Sequence, residues 1–104
     1  MSTTTLDACA RLLGAKFVYE TVWWTPPNAV NAVMLCGNDL ASEVLNQLAT
    51  LELWPSLRAV SNGSRGLDWE AELLDNSLPL IYADTWTDAI LQLGAAVQVQ
   101  REKA

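Results

Sequence analysis

Seven residues from Leu67 to Leu73 alternate apolar and acidic side chains, and they include the residues of this chain best suited to chemistry. On a β-strand, Asp68, Glu70 and Glu72 would share one face at steps of roughly 6.5–7 Å. Neighbouring carboxylates can act as general acid and base or hold a hard cation such as Mg²⁺ or Ca²⁺. An acid–base pair needs two carboxyl groups in contrasting surroundings, and a uniform row does not supply them. We therefore expect no catalytic and no metal-binding role for these carboxylates.

Other catalytic and cofactor signatures are missing from the sequence. The chain contains no histidine, which excludes Ser–His and Cys–His nucleophilic pairs within it. Neither GxGxxG nor GxxxxGK[ST] occurs. Cys9 and Cys36 lack the spacing of a zinc site and fall at apolar positions, so both are predicted to be small core residues. We predict a protein that is not an enzyme and binds no cofactor.

The net charge of −6 comes from one third of the chain. Between Gly66 and Gln100 there are six acidic residues and no basic ones, whereas the remainder holds six of each. Such a field repels nucleic acid and anionic membranes and favours basic proteins, although it also serves solubility. The six basic residues are scattered singly, which argues against direct nucleic-acid binding. The acidic residues predicted to contact a partner are Asp68, Glu70, Glu72, Asp75, Asp84 and Asp88.

Trp23 and Trp24 are adjacent in a chain with five tryptophans. On a strand they must face opposite sides, so one enters the core and the other turns toward solvent or a partner. Both are predicted as partner-binding residues, because tryptophan concentrates binding energy at interfaces. The alternative is that both are covered by the N-terminal helix and the Pro26-Pro27 turn.

The pattern of the chain predicts an α+β protein. It indicates a helix over 5–13 that Gly14 ends, a helix from Asn38 or Asp39 to just before Trp54-Pro55, and a helix that Thr85 caps and Gly94 ends. Strands are expected at 16–24, 29–36, 57–61, 67–74 and 95–101, with 79–82 unassigned, and the uniformly apolar strand at 29–36 is predicted to be central. Residues 62–66 are predicted to close a β-hairpin, with anion binding by Gly63 to Gly66 as a weaker alternative. From Val30 onward the order is βαββαβ, which predicts a ferredoxin-like sandwich preceded by an extra helix and strand.

The length of the chain predicts one domain over residues 1–104. Apolar stretches are short and the N-terminus lacks a basic region followed by an apolar block, so we expect no membrane span, no secretory signal and a cytoplasmic location.

Three functional hypotheses follow. The first is an acidic protein-binding module, most concretely an inhibitor that occupies the nucleic-acid-binding surface of a basic partner. Phage-encoded anti-restriction and anti-CRISPR proteins act in this way as a class, and the link is a physical analogy. The second is a structural or homodimeric subunit with a tryptophan-rich apolar interface, in which an edge strand at 16–24 could pair. The third is an enzyme or ligand sensor with an aromatic-lined pocket.

Overall fold

The computed structural model describes residues 2–61 and 66–103, and it contains three helices and six strands in that part of the chain. The predicted hairpin turn at 62–66 lies, except for Gly66, outside the described residues. In chain order the elements are α1 (Thr3–Leu13), β1 (Lys16–Val18), β2 (Thr21–Trp24), β3 (Val33–Leu35), α2 (Gly37–Thr50), β4 (Pro55–Ser61), β5 (Leu67–Leu73), β6 (Ile81–Ala83) and α3 (Trp86–Lys103). The predicted α+β class is confirmed.

The strands form two antiparallel sheets of three strands each. The N-terminal sheet has the order β1-β2-β3 and the C-terminal sheet has the order β4-β5-β6. A ferredoxin-like sandwich would place the strands around α2 and the final strand in one sheet, so the strand order differs from the prediction. The helices α1, α2 and α3 contact one another and cover one side of each sheet.

The predicted strand from Lys16 to Trp24 is a hairpin rather than one strand. Val18 pairs with Thr21 across a two-residue turn. Tyr19 and Glu20 form this turn, with φ of 50° and 61°. Two successive positive φ values are typical of the turn type that matches the twist of paired strands. The turn was missed because it contains neither glycine nor asparagine.

The predicted strand from Ala29 to Cys36 is confirmed only over Val33–Leu35. It was expected to be central, but β3 is an edge strand that pairs with β2 alone. Val30 is almost fully exposed. The uniformly apolar composition that suggested a central strand therefore lies largely on the surface.

The predicted final strand from Ala95 to Arg101 is wrong, because these residues continue α3. Gly94 does not end the helix. A Cβ atom added at Gly94 would lie 2.5 Å from Val44 Cγ1 of α2, so glycine permits the two helices to approach closely. Ile90, Leu93, Gly94 and Val97 are all buried and follow the i, i+3, i+4, i+7 spacing of one helix face.

Other local predictions are confirmed. Gly14 ends α1 in the left-handed conformation, with φ of 68°. Thr85 Oγ1 accepts a hydrogen bond from the Asp88 backbone N–H at the start of α3. The alternating run forms β5 and pairs with β4, as the predicted hairpin requires.

Candidate functional site

The alternating run positions its three acidic residues on the outer side of the C-terminal sheet. Ala71 and Leu73 of β5 are buried in the core, and Trp69 packs against it. Since successive strand residues face opposite sides, Asp68, Glu70 and Glu72 lie on the side away from the helices. The register adds Ser56, Arg58 and Val60 from β4 and Tyr82 from β6 to the same side. We call this surface the acidic face.

The middle carboxylate of the acidic face is buried and ion-paired. Only 5% of Glu70 is exposed, although it was predicted to contact a partner. Arg58 lies directly opposite on β4, and its Nη2 donates to both carboxylate oxygens of Glu70, at 3.0 and 3.3 Å. β5 is the central strand, so neighbouring side chains on both sides cover Glu70. The central carboxylate of the row is therefore held within the sheet and is not available to a partner.

Two exposed aromatic residues, which the sequence pattern did not indicate, lie on this surface or at its edge. Tyr82 is opposite Glu70 on β6 and is 56% exposed. Trp54 is also 56% exposed, and its backbone carbonyl accepts from the Leu74 N–H one step beyond the paired residues of β4 and β5. Arg58 has 70% of its side chain exposed. Tryptophan, tyrosine and arginine are the residues most enriched among binding hot spots.

The other three acidic residues predicted to contact a partner lie in different parts of the structure. Asp84 follows β6 directly, one step beyond the Trp69–Ala83 pair, and is therefore level with Asp68 at one end of the acidic face. Asp75 lies in the turn after β5, where the Ser77 backbone N–H donates to its carboxylate and lowers its pKa. Asp88 is on α3 and lines a cavity away from this surface, together with Glu20 and Cys36. The structure thus groups Asp68, Glu72 and Asp84 and separates Asp88 from them.

Trp23 and Trp24 do face opposite sides of β2. Trp24 packs against the hydrophobic core, whereas Trp23 is 40% exposed. Trp23 belongs to the N-terminal sheet, so it does not extend the acidic face on β4, β5 and β6.

Cavities near the helices do not match the aromatic-lined pocket of the third hypothesis. A cavity of about 400 Å³ lies between α1 and α3, lined by residues such as Ala8, Ala95 and Val99. A second, of about 280 Å³, lies beside β2 and β3. Among the described residues that line these two cavities there is no aromatic side chain. Trp24 lines a smaller one of about 190 Å³.

The two cysteines differ in their surroundings. Cys9 is buried, its thiol donates to the Leu91 carbonyl, and burial raises its pKa to about 12. Cys36 is exposed at the N-cap of α2, so the prediction that it is a core residue is wrong. Both thiols are free.

This difference predicts stepwise thiol titration. With a disulfide reagent such as DTNB near pH 8, we expect one thiol per chain to react at once and the second only when the protein unfolds. The thiolate is the reactive form, and Cys9 is both inaccessible and protonated at that pH. The Cys36→Ser variant should lose the fast phase, whereas a fast phase that persists in it would contradict the assignment.

The described part of the chain shows neither a cluster of metal ligands nor a membrane-spanning helix. Within residues 2–61 and 66–103, no three His, Cys, Asp or Glu side chains converge as metal ligands would. Over the same ranges, no helix has both the length and the apolar character needed to cross a bilayer.

Comparison with family models, curated proteins and solved structures finds no match to this chain. The fold is a mixed α+β arrangement, and the function has to be argued from the residues themselves.

Proposed function

We propose that this protein is a non-enzymatic binding module whose acidic face docks on a basic protein surface. The observation that carries the proposal is the grouping of the exposed Tyr82 with the carboxylates of Asp68 and Glu72 on one side of the C-terminal sheet, with the exposed Trp54 directly before β4. The helices contact the sheet from its other side, where Ala71 and Leu73 are buried. Aromatic anchors beside charged groups are the usual composition of a protein-binding surface.

Charge determines the kind of partner. Among the described residues, the acidic face with Asp84 at its end carries four carboxylates and one guanidinium, a difference of three negative charges, and the chain as a whole carries −6. A negatively charged surface attracts basic proteins, accelerates their association and repels acidic proteins.

The most concrete form of the proposal is an inhibitor that occupies a nucleic-acid-binding surface, as phage-encoded anti-restriction and anti-CRISPR proteins do. Consecutive phosphates of one strand repeat at roughly 6–7 Å, close to the two-residue step of β5. The carboxylates of Asp68 and Glu72 lie four residues apart on β5, at about 13 Å, or two phosphate steps. The match to a nucleic acid then involves alternate phosphates.

Charge reversal on the acidic face is expected to weaken partner binding. A partner captured from the native source by the wild-type protein should bind the double variant Asp68→Lys/Glu72→Lys at least about tenfold more weakly. The reason is that the new lysine side chains would face, and repel, the basic side chains of the partner. Binding of the wild type should also weaken steeply with rising salt. Both effects are measured by titration calorimetry at two salt concentrations.

The matched control is Glu20→Lys/Glu52→Lys, which changes the net charge by the same amount at two exposed positions off the acidic face. It should retain most of the affinity. Equal loss in both double variants would mean that only the total charge matters, and unchanged binding in the first variant would refute the proposed surface. Competition with DNA or RNA for the captured partner then tests the inhibitor form.

A further inference from the structure

The cavity of about 280 Å³ lies where the N-terminal sheet meets the N-terminal ends of α2 and α3. Its apolar walls come from Leu6 of α1, Val22 and Leu35 of the sheet and Leu91 of α3. Cys36, the exposed residue directly before α2, also lines it, so we call it the Cys36 cavity. Its described lining residues include none of the acidic face. A concave and mostly apolar site with a few polar groups is the usual form of a small-molecule site.

The charged groups of the Cys36 cavity have one sign. Among the described residues that line it, Glu20 and Asp88 carry negative charge and none carries positive charge. Glu20 belongs to the turn between β1 and β2, and Asp88 to the first turn of α3. Helix N-termini such as those of α2 and α3 contribute only about half a unit of positive charge each. The two carboxylates, with two full units, therefore determine the sign of the field in the cavity.

We infer that the Cys36 cavity binds a small primary amine with an apolar body. An ammonium group has three donors and makes charge-assisted hydrogen bonds to carboxylates such as those of Glu20 and Asp88. The apolar body would displace water from Val22, Leu35 and Leu91, which are all buried within the surrounding core. An anion of the same size would meet two like charges. An uncharged ligand would displace water from both carboxylates without supplying a charged donor in exchange.

The larger cavity, between α1 and α3, has the opposite preference. Among its described lining residues the charged one is Lys103, which suits an anion better than an amine. Binding must therefore be measured at the Cys36 cavity itself. Cys36 supplies the local reporter, because it lines this cavity and not the larger one. A ligand seated beside Cys36 shields its thiol from alkylation, whereas a ligand between α1 and α3 does not.

Alkylation of Cys36 by iodoacetamide at neutral pH tests the inference, with hexylamine as the probe. Saturating hexylamine should slow the reaction at least about threefold, because the thiol becomes less accessible. The alcohol 1-hexanol has the same apolar body without the charge, and it should need an at least about tenfold higher concentration for equal protection. Hexanoate should give no protection. Cys9, which is buried, should stay unmodified in every sample and so report that the protein remains folded.

Removing either carboxylate should weaken amine binding specifically. Asp88→Asn should raise the hexylamine concentration needed for protection at least about fivefold and leave that of 1-hexanol unchanged. Glu20→Gln should have the same effect, which keeps the test decisive if one variant misfolds by circular dichroism. Asp75→Asn is the matched control, because it removes the same charge in the turn after β5, outside the cavity, and it should behave like the wild type. The inference is overturned if hexylamine gives no protection, if 1-hexanol protects Cys36 equally well, or if both cavity variants respond like the wild type.

Discussion

Gly94→Val is expected to lower the free energy of unfolding by about 3 kcal/mol. The added Cβ would lie 2.5 Å from Val44 Cγ1 and 3.4 Å from Leu12 Cδ2, and Val44 is completely buried. Valine side chains in helices are nearly fixed at one rotamer, so Val44 cannot move aside and α2 and α3 must separate. This is a large part of the roughly 5–15 kcal/mol by which small domains are stable. Urea denaturation followed by tryptophan fluorescence measures the loss.

A double-mutant cycle isolates the cause. In the wild-type background Gly94→Ala should destabilise the protein, because the methyl group meets Val44. In the Val44→Ala background the same substitution should stabilise it by about 1 kcal/mol, the ordinary advantage of alanine over glycine inside a helix. If Gly94→Ala costs the same in both backgrounds, the close contact of the two helices is not the reason for the glycine.

Arg58→Leu is expected to cost about 2 kcal/mol of stability. The substitution would leave the Glu70 carboxylate buried without its partner, whereas Arg58 now donates to both oxygens. The figure is below that for a fully buried pair because Arg58 is largely exposed and water screens the interaction. Thermal and urea denaturation at neutral pH measure it.

The double variant Arg58→Leu/Glu70→Leu should recover most of that loss, because replacing both charges with apolar side chains leaves no unpaired buried group. Arg11→Leu is the comparison, since Arg11 pairs with Asp7 and Glu102 on the exposed surface of α1 and α3. It should cost much less than Arg58→Leu. If Arg58→Leu and Arg58→Leu/Glu70→Leu are equally stable, the loss in the single variant does not come from an unpaired Glu70 carboxylate.

The Arg58–Glu70 pair also bears on the proposed function. An acidic row read from the sequence has three equivalent carboxylates, but the structure makes them unequal. The central carboxylate, on Glu70, is buried against Arg58, whereas Asp68 and Glu72 are partly exposed. A partner would therefore contact a patterned surface, which gives more specificity than a uniform field of negative charge.

Much of the local structure followed from the sequence alone. The alternating run predicted β5 and the sides to which its residues point, because side-chain direction on a strand has a strict period of two. The helix caps at Gly14 and Thr85 were predicted because they depend on a few neighbouring atoms. The Arg58–Glu70 pairing also follows from the sequence in retrospect, since a hairpin centred on residue 64 places residue 58 opposite residue 70.

Tertiary contacts decided the rest. Residues 95–101 carry a pattern that fits either a strand or a helix, and packing of α3 against α1 and α2 selects the helix. The burial of Glu70 depends on β5 having a neighbour on each side. The exposure of Trp23 and Met34 depends on the three described helices packing on the other side of their sheet. The sequence by itself determined which side of an element each residue occupies, because that is set by local backbone geometry. Which of those sides are covered depended on contacts between residues far apart in the chain, and only the tertiary structure specifies them.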